Sequence, residues 1–148
     1  MTTLLDTNIV IALLNPDDHF HAWAVENLEA LRTDGPTIVS DIVYCEASVA
    51  METREHMDEA IAELGLERIP CSDDALFRAG KAFKKYREEN KGTKPGVLPD
   101  FIIGAVAEAE KIRLWTTNSK DFVGYFPDLD LIVPPKDDVE EGVVAEGT

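Results

Sequence analysis

LLDTNIVIALL, residues 4–14, sets an acid and an amide inside an apolar run. Leu4 and Leu5 precede Asp6, and Ile9 and Val10 follow Asn8. Burying even a neutral polar group without a partner costs about 2–7 kcal/mol, and an isolated carboxylate costs more. Asp6 therefore needs a partner. The stretch also changes period at Asp6: Thr2 to Leu5 reads as a short buried strand, and Thr7 to Leu14 as a helix stopped by Asn15-Pro16-Asp17-Asp18. Asp6 thus falls at the carboxyl end of the first strand.

The same alternation continues outward. His19 to Arg32 reads as a helix closed by Gly35-Pro36, and Thr37 to Ser40 as a second strand. Ser40 or Asp41 caps a helix expected to reach about Thr53. Glu55 to Leu64 is a helix, Leu66 to Ile69 a short strand, and Ser72-Asp73-Asp74 caps a long helix ending near Asn90. After the loop KGTKPGVLP, Asp100 to Ile112 reads as a helix with Pro99 in its first turn. Arg113 to Thr117 is a strand, Ser119 to Phe126 a short helix and Leu129 to Val133 a last strand. Strands separated by helices imply an α/β fold with parallel strands joined by crossovers. In such sheets ligands bind beyond the carboxyl ends of the strands, where the strand order reverses.

The chain of 148 residues suits one domain, and its 45% hydrophobic share can supply a core. Residues 1–135 form the expected domain. Residues 136–148 read as an acidic tail, with five acids and no base from position 137 onward. No apolar run is long enough to span a bilayer, and no signal peptide opens the chain, so a cytoplasmic protein is expected. Cys45 and Cys71 make no C-x-x-C pair and read as reduced core thiols. The balance of 29 acidic to 14 basic residues gives a net charge of −15. Such a chain is repelled by nucleic acid at long range. Salt adaptation, a basic partner, or acids that hold cations would each produce it.

A few acids lie in company unlike that of surface residues. Glu46 sits mid-helix in DIVYCEASVA, with Ile42, Val49 and Ala50 at helical spacing on its face. Asp100 opens the apolar helix FIIGAVA, where Gly104 permits close approach of another backbone. Asn118 and Asp121 follow Thr116 at the end of a strand. Taken singly, Asp6 and Asp100 suit helix caps or the helix dipole, and Asn118 and Asp121 suit a turn. Together they would repel unless protons or cations intervene. An all-oxygen set without His or Cys suits Mg²⁺ or Mn²⁺, and acids with such an ion suit phosphodiester hydrolysis. His19 and His21 could hold a transition metal but read better as surface or capping residues.

LLDTNIVIALL, Glu46 in SDIVYCEA, PDFIIGAVA and LWTTNSKDF, in this order, resemble the PIN-domain family, and most closely its VapC-type toxin branch. The resemblance covers the chain to about Val133. It implies a three-layer α/β/α fold with a central, mostly parallel sheet of four to five strands. It implies a Mg²⁺- or Mn²⁺-dependent ribonuclease, the toxin of a toxin–antitoxin pair, acting as a homodimer on RNA and neutralised by a small antitoxin protein. Asp6, Glu46 and Asp100 match the family's metal-binding acids, and Asn8 a polar residue that supports the first. Thr116 is a further supporting residue. The fourth catalytic position falls to Asn118, where many members carry Asp, or to Asp121. A binding module of weak catalysis on the same scaffold, and a housekeeping RNA-processing nuclease, are the alternatives. An aspartyl phosphatase would want Asp where Asn8 stands.

Seven of the 14 basic residues fall between positions 78 and 94. Leu76, Ala79, Phe83 and Tyr86 form the expected apolar stripe of that helix. Lys81, Lys84 and Lys85 then face outward and are candidate phosphate contacts for RNA.

Overall fold

Thr3–Leu5 form the central strand β1 of a five-stranded sheet in the order β3-β2-β1-β4-β5. The other strands are β2 (Thr37–Ser40), β3 (Glu67–Ile69), β4 (Arg113–Trp115) and β5 (Leu131–Ile132). Every pairing is parallel, so the sheet is wholly rather than mostly so. Thr3 pairs with Thr37 on one side and Arg113 on the other. The computed structural model describes residues 1–90 and 96–135. Lys91, Lys94 and the acidic tail from residue 136 lie outside these.

All residues of β1 and β2 are buried. Successive strand side chains point to opposite faces, so such a run requires cover on both. The cover is supplied by α1 (Thr7–Leu14), α2 (His21–Asp34), α3 (Asp41–Ser48), α4 (Arg54–Glu63), α5 (Asp73–Glu89), α6 (Val97–Glu110) and α7 (Lys120–Val123). The result is the expected three-layer α/β/α arrangement. Among the described residues no helix is long and apolar enough to cross a membrane.

Local chemistry sets the helix starts. Ser40, Thr53 and Ser72 each cap a helix by accepting a hydrogen bond from the backbone N–H three residues on. Asp6 caps α1 differently, by accepting from the N–H of the next residue, Thr7. α6 begins at Val97 rather than Asp100, because Gly96 takes the left-handed conformation (φ 88°) that turns the chain into the helix. Pro99 and Asp100 still lie in its first turn.

Several expected packing details are corrected. α3 ends at Ser48, well before Thr53, so Val49 and Ala50 fall in a turn and are exposed. The buried face of α3 is Val43 and Ala47. On α5 the buried stripe is Ala75, Ala79 and Ala82, while Leu76 is exposed. Small residues at the contact let α5 lie close against α6. Cys45 is exposed rather than in the core. Trp115 is fully buried, with the half-buried Trp23 edge-on to it at 5.9 Å.

Gly104 admits aromatic rings rather than another backbone. A Cβ there would stand 2.9 Å from atoms of both Phe122 and Phe126. Gly104→Ala must push α7 from α6, and is expected to cost about 1–3 kcal/mol despite the better helix former. Urea denaturation checks this, and an unchanged midpoint would contradict it.

Candidate active site

The chain leaves β1 toward β2 on one side, and later returns to β4 on the other. The order therefore reverses between β1 and β4, and their carboxyl ends flank the crevice this topology uses for ligands. Asp6 stands at one end and Thr116 at the other. The Asp6 N–H donates to the Trp115 carbonyl at 2.9 Å, which extends the ladder to the mouth of the crevice.

Asp6 is only 3% exposed. Its Oδ1 accepts from the Thr7 N–H at 2.7 Å, and its Oδ2 from the Thr116 hydroxyl at 2.6 Å. The capping reading is thus correct for one oxygen, while the other is held by a residue 110 positions away. Thr116 Oγ1 also accepts from the Asn118 N–H at 3.0 Å, which folds the turn after β4 back over the crevice. Asn8 reaches the same turn, its Oδ1 accepting from the Thr117 N–H at 3.3 Å.

Glu46 is joined to this group by a residue the sequence reading used only as a helix start. The Thr7 hydroxyl donates to Glu46 Oε1 at 2.7 Å. A Thr beside a strand-end Asp is the only signal, and the bond spans 39 residues, so nothing local announces it. Asp6, Thr7, Glu46, Thr116, Asn8 and Asn118 are thereby brought together. Asp100 is half-buried in the first turn of α6, which packs against α3. Asp121 is the second residue of α7, and only its backbone is described.

Hard oxygen donors with no thiolate or imidazole among them fit Mg²⁺ or Mn²⁺. Mg²⁺ commonly takes one or two carboxylates and completes its octahedron with water. Asp6 and Glu46, held through Thr7, fit that role. Among the described residues no three acidic, histidine or cysteine side chains converge to enclose an ion. The histidines lie elsewhere: a ring nitrogen of His21 is 2.7 Å from the Ala12 carbonyl at the end of α1, the capping reading.

An aromatic group anchors the first turns of α6 at Phe101, the residue after Asp100. Phe101 is 1% exposed, its ring 5.0 Å from Tyr125, 5.7 Å from Tyr86 and 6.1 Å from Phe126. Tyr125 donates to Glu89 Oε2 at 3.1 Å. Desolvation, with Glu89 opposite, holds its phenol above the ordinary value of 10.0.

Comparison with known proteins agrees with the fold. Solved structures similar to the chain include VapBC2 from Rickettsia felis bound to a promoter DNA fragment, at 24% identity and TM-score 0.69. A toxin–antitoxin complex from Klebsiella pneumoniae matches at 29% identity and TM-score 0.64. Both matches cover 90% of this chain and 98% of the other. VapC20 of Mycobacterium tuberculosis, a toxin that cleaves the sarcin–ricin loop, matches at 17% identity and TM-score 0.56, over 82% of this chain and 94% of its own. No curated protein matches by sequence. Residues 3–125 match the PIN domain profile, a span that takes in β1 through β4 and the helices bearing Glu46 and Asp100, and the chain belongs to that family.

Proposed function

We propose that this chain is a Mg²⁺- or Mn²⁺-dependent endoribonuclease that hydrolyses RNA phosphodiester bonds, and the toxin of a type II toxin–antitoxin pair. The observation that carries the reading is the buried Asp6 at the switch point, tied through Thr7 to Glu46. Family membership and the toxin–antitoxin complexes among its structural relatives support it. The proposal includes a cytoplasmic homodimer neutralised by a cognate antitoxin protein.

In this reading Asp6, Glu46 and Asp100 hold the metal, with Asn118 or Asp121 as the fourth catalytic group. A bound ion would supply Lewis-acid polarisation of the phosphate and a more acidic water at this site. Thr116 and Thr7 lock the Asp6 and Glu46 carboxylates in place, so little reorganisation accompanies the reaction. Asn8 secures the turn that carries Asn118. Mg²⁺ needs substrate oxygens or water to complete its shell. A site of few carboxylates therefore leaves positions for the phosphate.

The test is cleavage of structured RNA by the purified chain. We expect cleavage with added Mg²⁺ or Mn²⁺ and none in EDTA. Cleavage that survives EDTA would overturn the metal role. A neutral Asn118 favours the second reading, a PIN-scaffold binding module of little activity. RNA binding without cleavage in either metal would establish that one instead.

A further inference from the structure

α5 presents its outer face along its whole length. At about 100° per residue, Ala75, Ala79, Ala82 and Tyr86 fall on the core side and Phe77, Lys81, Lys84 and Glu88 on the opposite one. Phe77 is 66% exposed, an aromatic face with no part in the core. Lys81 Nζ lies 5.2 Å from its ring centroid. One turn on, Gly80, Phe83, Lys84, Arg87 and Glu88 line a shallow hollow of about 430 Å³. Nothing stands within 4 Å of where a Gly80 Cβ would be, so the helix backbone itself is open there.

The cations of this face are loosely engaged. Lys84 and Lys85 reach Glu88 and Glu89 only at 4.0 Å, in exposed pairs of a kind that are weak and easily exchanged. Arg78 differs: it meets Asp74 and Glu108 at 3.0 Å each, and is already committed. Phe77 to Arg87 covers about 15 Å along the axis. On the opposite, core side of the same helix Tyr86 packs on Phe101, the residue after Asp100, so α5 lies against the helix that bears Asp100.

An exposed ring beside a row of cations is what single-stranded nucleic acid requires: a base stacks on the ring while the backbone follows the charges. A second copy of the chain fits poorly. Two such faces across a twofold axis would set lysine against lysine, and like charges in apposition oppose association. We infer that the outer face of α5 from Phe77 to Arg87 binds single-stranded RNA. A base stacks on Phe77, and Lys81, Lys84 and Arg87 take phosphates. The inference rests on the ribonuclease reading and adds a surface that holds a strand on a chain that otherwise repels it.

The test is fluorescence anisotropy of a short, unstructured, fluorescein-labelled RNA of mixed sequence. The full chain carries Asp6→Asn as the parent background. Phe77→Ala should weaken binding about tenfold, and Phe77→Trp should preserve it. Lys81→Ala with Lys84→Ala should weaken it and reduce the slope of log affinity against log salt by about 1.4. Glu88→Gln, which releases Lys84, should tighten binding severalfold. Binding and salt slope unchanged in all these variants, while the unmutated chain cleaves RNA, would overturn this inference alone. A parent that binds no RNA, with an unmutated chain that cleaves none, would overturn both readings. If Phe77→Ala instead converts a dimer to monomers in sedimentation, the face is a protein interface and the inference fails.

Discussion

Asp6→Asn should reduce RNA cleavage by at least about a hundredfold, the scale for losing one preorganised charged group from an active site. The folded state should change little. The side chain keeps its shape, and one amide oxygen can still accept from the Thr7 N–H that Oδ1 now takes. The Thr116 contact changes sense, since an amide NH₂ would donate to the hydroxyl that now donates at 2.6 Å. Activity and thermal midpoint measured on the same preparation separate the two effects. A variant that cleaves like the parent would remove Asp6 from the chemistry. A variant that fails to fold would mean the carboxylate serves structure first.

Phe101→Ala is the largest stability loss we expect, about 3–5 kcal/mol. The ring is 1% exposed and lies among Phe83, Tyr86, Tyr125 and Phe126, at centroid distances from 5.0 to 6.4 Å. Truncation would leave a cavity where α5, α6 and α7 meet. A chain of this size loses about 2–4 °C per kcal/mol, so the midpoint should fall by roughly 10 °C. Asp100 is the adjacent residue, and cleavage should fall as well. Differential scanning calorimetry checks the first expectation, and a shift of less than about 3 °C would mean that the helices close over the gap.

What the sequence carried depended on the range of each interaction. The strand-to-helix change at Asp6 and the caps at Ser40 and Ser72 act within a few residues, and they stand where local chemistry put them. Glu46 stood out for an apolar face, but that face was assembled from the wrong residues. The helix ends at Ser48, and Val49 is 88% exposed. What sets Glu46 apart is the Thr7 hydroxyl, a tertiary contact with no local signature. The stripe on α5 was shifted for a related reason. Leu76 was expected inside, but close packing on α6 selects Ala75, Ala79 and Ala82 and leaves Leu76 outside, while Phe83 and Tyr86 stay half-buried against the core.

The central claim is that Asp6 and Glu46 share a divalent cation at the switch point. Calorimetric titration of Mn²⁺ into the purified chain tests it most directly, run beside Asp6→Asn and Glu46→Gln. The account predicts saturable binding in the parent chain, and its loss or severe weakening in both variants, with the fold intact by circular dichroism. Mn²⁺ binding of equal strength in the parent and in both variants would contradict it.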